Sequence, residues 1–199
     1  MTVRILPVCT GNICRSPLAM QLLRRQLDPR EFTLSSAGVA AVVGAPMDPE
    51  SQQVAERLGV ADTREHVAQQ LTKELLAESD LVLALTLEHR RQIVELAPAA
   101  TRYTYTLREL ARIVDKLPDE ALPGVGSDTD PRERMRAALA VVASRRGTLP
   151  PTDPANLDVI DPYRRPPRVH ERAAAEVVPA VNSIADFLRR SVSRFPPES

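Results

Sequence analysis

Residues 8 to 17 read Val-Cys-Thr-Gly-Asn-Ile-Cys-Arg-Ser-Pro. A thiol and a guanidinium separated by a short loop with glycine and asparagine are the parts of an oxyanion site with a nucleophile at its base. Between a strand and a helix, successive backbone N–H groups can turn inward as a nest for an anion. A helix beginning at Ser16 would add the positive end of its dipole. Gly11 permits a positive φ, and Asn12 tolerates one better than most residues. Arg15 offers a planar fork that grips two phosphate oxygens. Cys9 lies at the base of this cradle. The N–H groups and dipole that hold a phosphate also favour a thiolate, and Ser16 can donate its hydroxyl to that sulfur. A thiolate aimed at a bound phosphorus is a nucleophile for phosphoryl transfer. Cys-x5-Arg alone arises by chance; the whole run from Cys9 to Pro17, in strand–loop–helix context, is specific. The bland alternative is a buried Cys9 ahead of an ordinary anion-binding loop.

Attack at phosphorus does not finish the chemistry when the leaving group is a phenol, whose pKa is about 10. A carboxylic acid from another loop solves this by protonating the leaving oxygen and later deprotonating the attacking water. Asp161 precedes Pro162, which biases it to an extended conformation on a rigid turn. By itself Asp-Pro-Tyr is a plain turn; the Cys9 loop upstream makes Asp161 the candidate acid, with Asp158 as its alternative.

The elements that must position these groups alternate between strand and helix. Arg4 to Val8 reads as a strand, followed by Ser16 as N-cap and Pro17 as the first helical residue. A second strand is predicted at Phe32 to Ser36 and a helix capped by Asp48 across Val54 and Leu58. Leu81 to Leu85 is a continuous apolar run typical of a strand buried on both faces. A helix over 88–96, a strand near Tyr103 to Thr106 and a long helix over 169–190 complete a parallel α/β sheet. Residues 116–157 differ, holding six of the 18 prolines and three of the seven glycines. Within them Pro131 to Arg146 predicts a helix, and Arg132, Arg134, Arg136, Arg145 and Arg146 read as the solvated basic face of a surface insertion. No candidate catalytic residue lies there, so its removal is expected to leave activity largely intact. His89 and His170 belong to no motif and are expected to be exposed.

Composition excludes several classes. The 199 residues carry 26 Lys+Arg against 26 Asp+Glu, so no broad basic footprint for nucleic acid exists. Aromatic residues are 3%, too few for stacking on bases. No apolar run approaches the roughly 20 residues that span a bilayer. The N-terminal residues read as a buried strand rather than a signal peptide. Two cysteines suggest a reducing compartment and cannot form a Cys-rich zinc site.

The Cys9–Pro17 run, Ser36-Ala37-Gly38, Gly44-Ala45-Pro46-Met47-Asp48, His66-Val67-Ala68-Gln69-Gln70-Leu71-Thr72, Ser79-Asp80-Leu81-Val82-Leu83 and Asp161-Pro162-Tyr163 together resemble the low-molecular-weight protein tyrosine phosphatases. The resemblance covers most of the chain outside 116–157. It implies an α/β fold with a four-stranded parallel sheet, order 2-1-3-4, flanked by helices on both faces. It also implies a single phosphatase domain over 1–193, interrupted by the 116–157 insertion and followed by a frayed tail at 194–199. In its terms Cys9 is the nucleophile, Arg15 the phosphate clamp and Asp161 the general acid, later base. Thr10, Gly11, Asn12, Ile13, Cys14, Arg15, Ser16 and Tyr163 contact phosphate or substrate. Asn12, Ser16, Ser36 and His66 form a network that holds the loop rigid, and Cys14 traps oxidised Cys9 as a disulfide. The implied reaction uses no metal and no cofactor.

Departures refine the resemblance. The helix after Pro17 reads Leu18-Ala19-Met20, losing an acid usual near its start. Loop 39–44 lacks the aromatic of eukaryotic members, and Arg164-Arg165 replace a Tyr and a Gly commonly found after Tyr163. Both features match the bacterial subgroup that acts with tyrosine kinases in capsule and exopolysaccharide export. The implied partners are therefore a phosphotyrosine protein and a bacterial tyrosine kinase in cytoplasmic signalling, with no nucleic acid and no membrane insertion; the oligomeric state is left open. Three other functions compete. Arsenate reductase borrows this fold but needs further relay cysteines. Protein-arginine phosphatases carry Thr where this chain has Ile13. A non-catalytic phosphotyrosine-binding module would need neither Cys9 nor Asp161.

Overall fold

Strand β1, Val3–Cys9, is buried at every residue but Arg4 and feeds its side chains alternately to two cores. Val3 and Ile5 meet Leu81 and Leu83 on one face, while Leu6 and Val8 meet Val82 and Ala84 on the other. The structure, a computed structural model, describes residues 1–61, 63–122 and 129–192. The remainder of β1's sheet is β2 (Phe32–Leu34), β3 (Ala37–Gly38), β4 (Leu81–Ala84) and β5 (Thr104–Thr106), all parallel. The order is β2-β1-β4-β5, with β3 also paired to β1.

The sheet has the expected α/β class but five strands rather than four, because the second strand is split. Val3 N–H donates to Glu31 and Ser35 N–H to Ile5 O, so the odd residues of β1 face this edge. The next donor would be Pro7, which has no N–H. The ladder therefore lapses at Ser35 and Ser36 and resumes where Cys9 pairs with Gly38. The lapse leaves Ser36 buried beside the loop that follows β1.

Helices α1 (Arg15–Arg24), α2 (Pro49–Arg57), α5 (Leu107–Val114), α6 (Pro131–Arg145) and α7 (Pro167–Val192) cover one face. Helices α3 (Lys73–Glu78) and α4 (Leu87–Leu96) cover the other. Asp48 caps α2 by accepting from the N–H groups of Glu50 and Ser51. Helix α7 begins earlier than its apolar stripe because Pro167 suits the first helical position. No helix among the described residues is long and apolar enough to cross a membrane.

Helix α6 corrects the reading of the 116–157 stretch. Met135, Ala138, Leu139 and Val142 belong to the same core as α5 and α7. Only Arg136 and Arg145 of its five arginines are exposed. Arg134 is buried. Arg132 Nε donates to both carboxylate oxygens of Asp80, at 2.8 and 2.9 Å. Arg146 binds the Glu109 carboxylate and Thr104 O, and its guanidinium lies 4.1 Å above the Tyr105 ring. The helix is thus a structural layer, not a solvated attachment, and removing it would uncover α5 and α7. Residues 123–128 of this stretch and the tail at 194–199 lie outside the described residues.

Met135→Ala is therefore expected to lower unfolding stability by about 2–4 kcal/mol in urea titration. A change under about 0.5 kcal/mol, usual for surface positions, would contradict the placement.

Candidate active site

The loop from Cys9 to Arg15 turns its carbonyl oxygens outward. Cys9 O accepts from Val39 N–H at 2.9 Å, Thr10 O from Ala40 N–H at 3.0 Å, and Gly11 O from Val42 N–H at 3.0 Å. Asn12 O accepts from His66 Nε2 at 2.6 Å and Ile13 O from Asp48 N–H at 2.8 Å. In a planar trans peptide the C=O and N–H point in opposite directions. The N–H groups of residues 10 to 14 are thereby turned inward around the end of β1, a nest for an oxyanion. Gly38 makes this approach possible, since a Cβ there would sit 2.4 Å from Thr10 O.

The turn itself corrects one expectation. Asn12, at φ 57°, takes the left-handed conformation, whereas Gly11 does not. Asn12 is fully buried, and its side chain holds it in this conformation. Its Nδ2 donates to Ser16 Oγ and Ser36 Oγ, both at 2.9 Å, and its Oδ1 accepts from Gln69 N–H at 2.9 Å. Ser16 does not cap the helix as predicted: α1 starts at Arg15, and Ser16 sits in its first turn. Ser16 Oγ accepts from Asn12 and lies 3.0 Å from Cys9 Sγ and 3.4 Å from Ala37 O, the two acceptors within reach of its proton. Burial lowers the pKa of His66, against the opposing pull of its bond to Asn12.

Arg15, 5% exposed, reaches across the cradle. Nη1 donates to Val159 O at 3.2 Å, Nη2 lies 3.0 Å from Asp161 Oδ2, and Nε is buried with no partner. Asp161 is 56% exposed, and its Oδ1 accepts from Tyr163 N–H at 3.2 Å. Asp158, the alternative acid, is engaged elsewhere: its Oδ1 accepts from Leu87 N–H at 2.7 Å, and its carbonyl accepts from Arg108. Ile13 packs with Cys14, Ala68 and Ala45, and its side chain and that of Val42 are the nearest to Gly11. Val42, Val43, Val67 and Tyr163 are exposed apolar residues. Val42 was not legible as part of the site; its bond to Gly11 O places it there.

Both cysteines are free. Burial pushes the Cys14 thiol up to about 12, partly offset by a hydrogen bond with Ser51. His89 and His170, expected to be exposed, are both buried. His170 Nδ1 lies 2.9 Å from Ser51 Oγ behind Cys14, and His89 Nε2 lies 2.8 Å from Thr10 Oγ1. Among the described residues no three His, Cys, Asp or Glu side chains converge as a metal site.

Residues 4–122 match the model of the low molecular weight phosphotyrosine protein phosphatase family. The chain belongs to this family. The probable low molecular weight protein-tyrosine-phosphatase EpsP of Ralstonia nicotianae is 41% identical to it over 110 residues, 55% of this chain and 74% of that protein. The arginine phosphatase YwlE of Geobacillus stearothermophilus superposes with a TM-score of 0.68 at 27% identity, covering 94% of this chain and 93% of its own. The tyrosine phosphatase AmsI of Erwinia amylovora gives 0.66 at 25% identity, covering 94% and 93%. Membership makes this low molecular weight phosphatase a hydrolase. Its family match contains the cradle and the Asn12 network but ends before Asp161, which is brought to the cradle by its contact with Arg15.

Proposed function

We propose that this phosphatase hydrolyses protein phosphotyrosine through a cysteinyl-phosphate intermediate on Cys9. The observation that carries the reading is the convergence of Cys9 Sγ, the inward N–H groups, Arg15 and Asp161 on one cradle. The phosphate lies in the nest and takes the Arg15 fork, including the unpartnered Nε, displacing Asp161 from Nη2. The Cys9 thiolate attacks phosphorus; the P–S bond forms as the P–O bond to the phenol breaks. Asp161 delivers its proton to the departing oxygen. The resulting carboxylate then takes a proton from water, whose oxygen attacks phosphorus and releases the thiolate. The Ser16 hydroxyl stabilises that thiolate as leaving group.

Relatives named for phosphotyrosine and for phosphoarginine share the fold, so the choice falls to the mouth. Ile13, Val42 and Tyr163 are apolar surfaces suited to a phenyl ring. Ile13 and Val42 offer no acceptor to a guanidinium, and each desolvated N–H left unpaired costs about 1–3 kcal/mol. The site of action we infer is cytoplasmic signalling, with tyrosine-phosphorylated proteins as substrates and a bacterial tyrosine kinase among them. Loop 39–44 and Arg164-Arg165 support that subgroup. Oxidised Cys9 would be captured by Cys14 as a disulfide with loss of water. Burial keeps Cys14 protonated, which makes that capture slow.

Asp161→Ala is expected to slow phenyl phosphate hydrolysis by about 10²–10⁴-fold, with far less effect on p-nitrophenyl phosphate, whose leaving group needs no proton. Equal losses across a leaving-group series would remove Asp161 from the acid role.

Wild-type kcat/KM should favour phosphotyrosine over phosphoarginine peptides by at least roughly tenfold, with Ile13→Thr shifting the ratio toward phosphoarginine. A wild-type preference for phosphoarginine would overturn the substrate assignment.

A further inference from the structure

Behind Thr10, on the side of the loop away from the Asn12 network, stands His89. It lies in the first turn of α4, 79 residues from Thr10 in sequence. Its side chain is buried, and it bridges two hydroxyls: Nε2 to Thr10 Oγ1 at 2.8 Å and Nδ1 to Thr86 Oγ1 at 2.9 Å. Thr86 caps α4, and its Oγ1 accepts from His89 N–H at 3.1 Å. A neutral ring donates from one nitrogen and accepts at the other, so either tautomer can bond both hydroxyls. Burial pushes the His89 pKa down to about 4, the Arg15 charge adding to the shift, so the ring is neutral across the working range.

The same turn of α4 holds the loop that brings the acid. Leu87 N–H donates to Asp158 Oδ1 at 2.7 Å, and Val159 N–H donates to Leu85 O at 2.9 Å. Val159 O in turn accepts from Arg15. The segment from Leu85 to His89 therefore touches the residue after the nucleophile and the residues before Asp161.

We propose that His89 is a positioning residue for the phosphate loop: its bond to Thr10 ties the residue that follows Cys9 to the turn of α4 that also anchors the acid loop. The proposal rests on the phosphatase reading above. Asn12 and its partners fix the far half of the loop, and His89 fixes the near half. Thr10 is itself exposed, and among the described residues His89 is the one side chain that hydrogen-bonds its hydroxyl. Its carbonyl is held by the Ala40 N–H.

The test is a double-mutant cycle on the full chain: wild type, His89→Ala, Thr10→Val and the double variant, with His89→Gln as the conservative replacement. Each is measured for kcat and KM on p-nitrophenyl phosphate and for competitive inhibition by inorganic phosphate. Each single variant is expected to lose about tenfold in kcat/KM, and the double variant no more than either single, because both remove the same bond. Phosphate inhibition should weaken in parallel, a readout that packing at α4 alone would not move. His89→Gln, whose amide can donate to Thr10, should stay within about threefold of wild type. Losses that multiply in the double variant, unchanged phosphate inhibition, or His89→Gln as poor as His89→Ala would overturn the proposal. Should His89→Ala fail to fold, His89→Phe, which keeps the ring volume, takes its place in the cycle. If the wild type itself shows no turnover, the phosphatase reading fails. The same cycle read by phosphate-induced thermal stabilisation still decides the link.

Discussion

The site depends on one backbone constraint: every carbonyl between Cys9 and Ile13 must face away from the sulfur. An anion repels carbonyl oxygens and needs N–H groups, and a chain can present consecutive N–H groups to one point only by reversing sharply. Asn12 makes that reversal, at φ 57°, a conformation costly for most residues. Three side-chain bonds and one to its carbonyl hold it there. The surrounding loops then read as supports for this turn. Residues 39–48 take the outward carbonyls, His66 takes the one at the turn, and Gly38 has no side chain because Thr10 O occupies that space. The loop is hydrogen-bonded into this shape with no ligand present, which is the condition for electrostatic preorganisation.

The reacting groups inherit their positions from the sheet. Cys9 is the last residue of β1, and Arg15 is the first of α1, so the proposed nucleophile and clamp are fixed by the ends of two packed elements. Asp161 is different. It lies on an exposed turn, reaching Arg15 by a contact that a bound phosphate would compete for. In the proposed mechanism this separates a preformed anion site from the acid that serves it. The acid must stay clear of entering substrate and then meet the leaving oxygen.

The contiguous parts of this candidate site were legible in the residues because the loop and the proposed clamp and nucleophile fall within seven positions. So were the buried strands, whose apolar runs admit one reading. What sequence could not convey were partners brought together by the fold. Arg132 and Arg146 look solvated until Asp80 and Glu109, 52 and 37 residues away, are seen beneath them. The break in the second strand follows from the missing N–H of Pro7, but only once the register shows which edge Pro7 faces. His89 carried no signal beyond its place after a threonine cap, because its partner Thr10 is brought to it across the sheet edge. Gly11 and Asn12 were both eligible for the left-handed turn; side-chain amide bonding decided for Asn12.

The central claim is that Cys9 sulfur bonds to phosphorus. Rapid acid quench of wild-type enzyme turning over an aryl phosphate, followed by peptide mass spectrometry, measures it directly. The account predicts one phosphoryl group on the peptide at Cys9, none at Cys14, and neither adduct nor turnover in Cys9→Ala. Turnover by Cys9→Ala at a rate near wild type, or a phosphoryl group bound elsewhere on the chain, would contradict it.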